Sequence, residues 1–475
     1  MNSSLSARQR LRRLDALVLA LTVFVCGCTS VSQSLSSLPG VAPPGEDEEA
    51  RISREFRREA KKHLKFVNHP EVERYVDRIG RRILAATGPQ PFDYRFFVVQ
   101  DNQLNAFAVP GGSIYLFSGL VERAKSTDEI AGVLGHEIVH IKARHMARSS
   151  GPDAVSVLSL LGMVLLARSG SGAQAAGMVG QAVAATRQAA YSRQLEMESD
   201  TLGARYMASA GFDPQGAIAF LKTLDQERAL NPIDVPAYIM THPITQDRIA
   251  NAELVVRSLK TNEPRREAPE VLKKVQIILR LERPGGEALL KELEAAVRQQ
   301  PDNPEPHYLL GFAQQLRGEL DQAQRHLEQA RAMRPDNPGL QRDLGRLYSQ
   351  KGAFGAARQA YDRALILEPN EPLTYLYLGE LLEKSGDLRS AAGAYLNAHN
   401  FAPLWDRPPY RLGMVYGRLD RQADGYYYLG RAYALQDEDE RAIADYERAI
   451  KIAGENSPRG QIIKEELIRL RSRKR

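Results

Sequence analysis

Residues 134–141 read Leu134-Gly135-His136-Glu137-Ile138-Val139-His140-Ile141, an H-E-x-x-H sequence set in an apolar run. At about 100° per residue a helix carries His136 and His140 on one face, a turn apart, with Glu137 projecting beside them. Both imidazoles then reach one ion. Two His ligands and one carboxylate leave a coordination position for water on a zinc ion, whose pKa the metal lowers, and Glu137 is placed to take that proton and pass it to a leaving amine. H-E-x-x-H also arises by chance in helices, so the reading needs a third ligand.

Glu196-Met197-Glu198-Ser199-Asp200 lies downstream and runs into the helical pattern Leu202, Tyr206, Met207. Glu196 and Asp200 share a helix face, so one can bind metal while the other buttresses a ligand's imidazole; Glu198 points elsewhere. His145 falls roughly 140° round the helix from His140, which makes it a structural or supporting group rather than a ligand of the same ion. His63, His69, His307, His326 and His399 have no ligand spacing and read as structural.

Working outward, Phe92–Val99 reads as a strand. Ala106–Val109 and Ser113–Phe117 read as a strand pair across Pro110-Gly111-Gly112, with helices from about Thr127. Residues 49–88 have helical periodicity, with Leu64, Val67, Val72, Tyr75, Val76, Ile79, Ile83 and Leu84 on one face. Asn105 to Val109 (Asn105, Ala106, Phe107, Ala108, Val109) is the candidate edge strand to which an extended substrate adds; an ordinary core hairpin is the competing reading. Ala154 to Ala167 is apolar but short of a bilayer span, so a buried or interfacial helix is expected. Residues 169–190 are rich in Gly and Ala.

The second half of the chain repeats. Pro301, Pro335, Pro369 and Pro403 stand 34 residues apart, as do Gly311, Gly345, Gly379 and Gly413, and Gly318, Gly352 and Gly386, while Ala330, Ala364 and Ala398 keep the same phase. This is the tetratricopeptide period, in which small residues let paired helices pack closely. From Gly413 to Gly430 the spacing halves to 17, so Asp424–Ile452 reads as a displaced helix pair that caps the array.

The first residues carry a different message. Arg8, Arg10, Arg12 and Arg13 precede the apolar run Ala16–Val25, a secretory signal pattern. Val25-Cys26-Gly27-Cys28 resembles a bacterial lipobox, which implies a lipid on Cys28; an ordinary cleaved signal or a short anchor is the alternative. Thr29 in place of Asp implies, by the same resemblance, the outer membrane. The chain has 64 basic and 58 acidic residues; removing residues 1–27, with four Arg and one Asp, leaves 60 and 57, a net charge of +3. No single-sign field or basic stretch interleaved with aromatics supports nucleic-acid binding. Cys26 and Cys28 are the only cysteines, so a metal site must be built from His and carboxylates.

The strand pair, the HEIVH helix with Arg144-His145, Tyr191-Ser192-Arg193 and the Glu-x-Glu-x-Asp helix together resemble the membrane-linked zinc peptidases of the HtpX and CaaX-prenyl-protease family. The resemblance implies one zinc ion per chain held by His136, His140 and Glu196, Glu137 as general base, and Asp200 supporting a ligand. Ser199 replaces the family's usual Ala. His242, in Thr241-His242-Pro243, resembles a position where a His caps the zinc and holds the enzyme latent; a satisfied loop histidine is the other reading.

The expected fold class is α+β and mostly helical: a zincin-type metalloprotease domain with a small sheet, then an all-α tetratricopeptide-repeat solenoid. Expected divisions are a signal over 1–27, a lipid-anchored tether over 28–48, the protease domain over 49–262, a linker over 263–270 and repeats over 271–475. The function implied is a periplasmic endopeptidase acting on unfolded or misassembled outer-membrane proteins, with the repeats contacting substrate or the β-barrel assembly machinery. A repeat-based chaperone or adaptor with a capped or structural zinc site is the competing class.

Overall fold

His69-Pro70 divides the long helical pattern of the N-terminal region. Proline disfavours helical backbone in the residue before it and is well tolerated in a first turn. The computed structural model, which describes residues 44–146, 162, 193–230, 237–259, 267–283 and 286–473, accordingly has two helices where the periodicity over 49–88 suggested continuity: α1 (Glu46–His63) and α2 (Pro70–Ala85). The His69 side chain accepts from the Glu71 N–H at the start of α2. Helix α1 takes in residues 46–48, which the sequence assigned to the tether. The signal, Cys28, the 154–167 apolar run (Gly162 apart), the 169–190 segment and Tyr191-Ser192 lie outside the described residues. Among those described, no helix is long and apolar enough to cross a membrane.

Strands β1 (Arg95–Val99), β2 (Ala106–Val109) and β3 (Ser113–Phe117) form one sheet in the order β1-β3-β2, with β3 parallel to β1 and antiparallel to β2. β1 starts three residues later than the apolar pattern suggested. Strand alternation puts Phe97, Tyr115 and Phe107 on one face, stacked in a row with ring centroids 5.0 and 4.8 Å apart, and Phe56 of α1 meets Tyr115 edge-on. The opposite alternation, Val98, Ile114, Leu116, Ala106 and Ala108, joins the main core with Ile79 and Ile83 of α2 and Ile130 and Leu134. The helices α3 (Ser118–Arg123), α4 (Thr127–Lys142), α5 (Arg193–Ser209), α6 (Gln215–Leu230), α7 (Ala237–Thr241) and α8 (Gln246–Ser258) complete this part.

α9 (Pro269–Leu281) and α10 (Gly286–Gln299) lead into the repeats, α11 (Pro304–Leu316) through α16 (Leu388–Phe401) in three pairs. A Cβ on Gly345 would stand 2.6 Å from the Tyr361 ring, and one on Gly379 would stand 2.5 Å from Tyr395, so the periodic glycines are where paired helices touch. Gly318, Gly352 and Gly386 turn each pair with φ of +80°, +76° and +85°. The halved spacing also has a cause. α18 (Gln422–Leu435) serves two neighbours, presenting Leu429 to Gly413 of α17 (Arg407–Arg418) and Gly430 to Tyr446 of α19 (Asp439–Ala453). The displaced pair is therefore present, but the array is closed by a further helix, α20 (Pro458–Ser472), whose Ile463, Leu467 and Leu470 are buried with Tyr427 and Tyr446.

The apolar core does not stop where the repeats begin. Leu272, Val275, Ile278, Leu289 and Phe312 belong to the same cluster as Ile130 and Leu134. Ion pairs reinforce the junction: Glu71 of α2 receives Lys274 at 2.9 Å, Arg346 at 3.0 Å and Arg342 at 3.7 Å. Arg57 of α1 makes a two-pronged bond to Asp437, at 2.7 and 2.6 Å, in the α18–α19 turn.

Glu71 is 6% exposed and its carboxyl is held far below the ordinary value of 4.5: burial opposes the charge, and Lys274, Arg342 and Arg346 outweigh it. A depressed pKa of this kind adds stability that is complete above about pH 4.5 and is lost as the pH falls below it. Glu71→Gln leaves three cations facing a neutral group, so unfolding stability at neutral pH is expected to fall by about 3 kcal/mol. Guanidinium titrations at neutral and acid pH check this, and the difference between variant and wild type should shrink in acid.

Candidate metal centre

Helix α4 begins with Ser126 accepting from the Glu129 N–H and is buried from Glu129 through Ile141. What brings α5 against it is a pair of glycines. A Cβ on Gly135 would lie 3.1 Å from the Gly203 carbonyl oxygen, and one on Gly203 would lie 3.0 Å from His136 N. A side chain at either position would force the facing backbone to give by a few tenths of an ångström, so the glycines set how closely the helices approach.

The structure brings His136, His140, Glu196 and His242 into one buried group, each offering a donor atom within 4.8 Å of the others. His136 Nε2 lies 2.9 Å from His140 Nε2, 3.4 Å from His242 Nδ1 and 3.4 Å from Glu196 Oε2. Glu196 Oε1 lies 3.5 Å from His140 Nε2 and 3.2 Å from His242 Nδ1. Ligands about 2.05 Å from a tetrahedral ion stand about 3.3 Å apart, so these separations fit the edges of such a site.

Around this group the partners are specific. Asp200 Oδ1 is 3.0 Å from His136 Nδ1, and Arg248 donates to both Asp200 oxygens at 2.8 Å. Arg248 Nη1 also pairs with Glu196 Oε2 at 2.9 Å and donates to the Pro243 carbonyl at 2.9 Å. Glu137, 1% exposed, accepts from the Tyr238 hydroxyl at 3.2 Å through Oε1, while its Oε2 has no hydrogen-bond partner among the described residues. Tyr238 stacks on His242, with centroids 4.5 Å apart.

Electrostatics follow from this crowding. Burial opposes charge on His136, but hydrogen bonds to Asp200 and Glu196 prevail and raise its pKa to about 10. Burial and the neighbouring His136 push His140 well below the usual imidazole range. Burial opposes ionisation of Glu196, yet His242 and His136 hold it well below the ordinary carboxyl value. Asp200 is lowered against burial by His136 and Arg248. A metal-free site thus keeps both carboxylates ionised and is poised to exchange protons for a cation.

Every candidate ligand from the sequence is therefore in one place, with Asp200 against His136 and His242 inside the group rather than in a separate loop contact. β2 is an edge strand, paired only with β3 among the described strands, and packs beside α4. Asn105 is buried just before it, and its carbonyl accepts from Phe117 N at 2.9 Å. Tyr238 and Arg248 were not found from sequence. An Arg in the buried pattern of α8, beside Ile249 and Ala252, was the available signal for the second.

Two imidazoles one helical turn apart, a carboxylate between them and another from a second helix define a metallopeptidase class of site. Residues 70–255 match peptidase family M48, and residues 286–338, 316–373 and 423–456 match tetratricopeptide repeats. Over those residues the chain is similar to peptidase family M48, and beyond them to tetratricopeptide repeats. It is 33% identical over 195 residues to the beta-barrel assembly-enhancing protease of Escherichia coli, an alignment covering 39% of each chain. Similarity to the protein of the same name from Yersinia pestis is 29% over 220 residues, 45% of each. The mitochondrial metalloendopeptidase OMA1 of Schizosaccharomyces pombe is 32% identical over 180 residues, 38% of this chain and 51% of that one. The matches thus span about half or less of these relatives' lengths.

Arg248→Met removes the one guanidinium that both carboxylates share. Leaving Glu196 and Asp200 buried without it is expected to cost about 3–5 kcal/mol of unfolding free energy. Denaturant titration of the metal-free chain measures it; a loss below about 1 kcal/mol would contradict the clamp.

Proposed function

We propose that this chain is a zinc-dependent endopeptidase of the bacterial periplasm, held at the outer membrane by a lipid on Cys28, that degrades misfolded or stalled outer-membrane proteins. The observation that carries the catalytic part is the set of donor separations among His136, His140, Glu196 and His242, with Glu137 and its unpartnered oxygen beside them. One zinc ion per chain, held by His136, His140 and Glu196, supplies Lewis acidity and acidifies water at neutral pH. Glu137 takes the proton of the attacking water and returns it to the leaving nitrogen. Asp200 fixes the His136 ring through Nδ1, and Arg248 keeps both carboxylates charged.

Substrate binds in this reading as a strand. Pairing of Asn105, Phe107 and Val109 with β3 directs the N–H and C=O groups of Ala106 and Ala108 to the outer side of the sheet, the geometry for adding an extended peptide. The protease domain over 49–262, the linker over 263–270 and the repeats over 271–475 are our working divisions, and the concave repeat face is our candidate for contact with substrate or assembly machinery. The similarity to beta-barrel assembly-enhancing proteases supports this choice of substrate class.

His242 occupies the fourth donor position, which on this reading caps zinc at rest. A second reading, a repeat-based adaptor with a closed structural site, draws on the same four-donor grouping. Glu137 separates them, because a structural site gains nothing from a buried carboxylate with a spare oxygen. Glu137→Gln is expected to abolish cleavage of casein and of the chain itself, a loss of at least about 100-fold, with zinc content unchanged. Equal proteolysis by variant and wild type would exclude the enzyme. His242→Ala is expected to raise casein hydrolysis several-fold, and an unchanged or lower rate would remove the cap.

A further inference from the structure

Helix α4 ends abruptly after Lys142. Arg144 takes a left-handed φ of 55°, a conformation that non-glycine residues seldom adopt. Glu49 of α1, itself 1% exposed, holds Arg144 there with contacts of 2.8 and 2.7 Å, and the Pro44 carbonyl accepts from the same guanidinium. The turn has one result for the site. Continued helix would carry His145 away from His140, but the left-handed residue swings it back, fully buried, with its Nδ1 3.0 Å from His140 Nδ1 and the rings 5.0 Å apart.

His140 presents Nε2 to the donor group, so Nδ1 is its remaining nitrogen. An imidazole that gives Nε2 to a cation carries its proton on Nδ1 and must find an acceptor for it. For His136 that acceptor is Asp200. For His140 the atom in place is His145 Nδ1, which accepts only if His145 keeps its proton on Nε2. Glu198 Oε2 lies 3.3 Å from that nitrogen, an ion-pair approach not aligned as a hydrogen bond, on a side chain 38% exposed and able to turn, and Ser199 Oγ lies 3.4 Å from His145 Nδ1.

We propose that His145 is a positioning residue for the metal centre: it fixes the ring orientation and tautomer of His140, with Glu198 as the outer acceptor that fixes its own. Arg144 and Glu49 hold the turn that delivers it. This rests on the metal reading above. It also gives Glu198, which the sequence set aside, a use one residue removed from the ligand face.

Zinc affinity of the purified full chain, measured by competition with a chromophoric chelator, tests it. His145→Leu is expected to weaken zinc binding 10–100-fold and to lower kcat on casein with KM unchanged. His145→Asn, whose amide oxygen can accept where Nδ1 did, is expected to stay within about threefold of wild type. Wild-type affinity in the Leu variant, or an Asn variant as weak as Leu, overturns the proposal. Should the Leu variant not fold, Glu198→Lys at a half-exposed position is expected to weaken zinc about tenfold, and unchanged affinity there overturns it too. A wild-type chain that holds no zinc overturns the metal reading and this relay together, whereas a zinc-holding chain indifferent to His145 and Glu198 overturns the relay alone.

Discussion

Burial of two carboxylates beside three imidazoles is the constraint to which the rest of the N-terminal half answers. Glu196 and Asp200 are 1% and 8% exposed, and a carboxylate taken out of water without a partner costs several kcal/mol. No apolar packing needs them there. Arg248, itself 1% exposed, supplies one full charge to both, and His136 Nδ1 meets Asp200 from the other side at 3.0 Å. The close crossing of α4 and α5 at Gly135 and Gly203, and the docking of α8 that delivers Arg248, are what make the arrangement affordable.

The same segment carries both the clamp and His242, the fourth donor of the proposed metal site. His242 and Arg248 are joined by a short turn in which Thr245 starts α8 by accepting from the Arg248 N–H, and Arg248 reaches back to the Pro243 carbonyl. Tyr238, one turn before His242, stacks on it and holds Glu137. Tyr238 thus ties the placement of His242 to that of one Glu137 oxygen. The clamp's bonds to Asp200 and Glu196 come from α8 and not from the 238–242 segment.

How much of this was legible depended on whether a residue's partner lies within its own helix. His136, Glu137 and His140 are fixed by helical geometry alone, and Glu196 and Asp200 by the same spacing, so the site's centre could be read directly. The repeats were legible because Gly345 and Gly379 meet Tyr361 and Tyr395 at the same step of every unit. Tyr238 was hidden, and for Arg248 the buried pattern of α8 says that the side chain turns inward but not which carboxylates it meets. His145 was expected as a structural or supporting group, but its contact with His140 was not legible, because helical phase ends at Lys142 and the backbone at Arg144 is left-handed, held by Glu49 some 95 residues earlier. The helical periodicity over 49–88 is carried by two helices for a local reason, Pro70.

Apolar continuity between the two halves bears on what the repeats do. Had Leu272, Val275 and Phe312 formed a core of their own, the solenoid would be a module on a tether; they share a cluster with Leu134, two residues from the first ligand histidine. Polar contacts run the same way. Lys274, Arg342 and Arg346 converge on Glu71 in α2, and Tyr75, one turn on, donates to Thr127 Oγ1 at 3.0 Å in the first turn of α4. Thr127 in turn meets Glu267, ahead of α9, at 3.2 Å. Helix α4 is thus held at its start by the repeats' own entry segment and at its end by Arg144 and α1. A helix restrained at both ends keeps its two imidazoles in register, which a site needing donor atoms about 3.3 Å apart requires. On this view the repeats are part of what holds the donor group of α4 rigid.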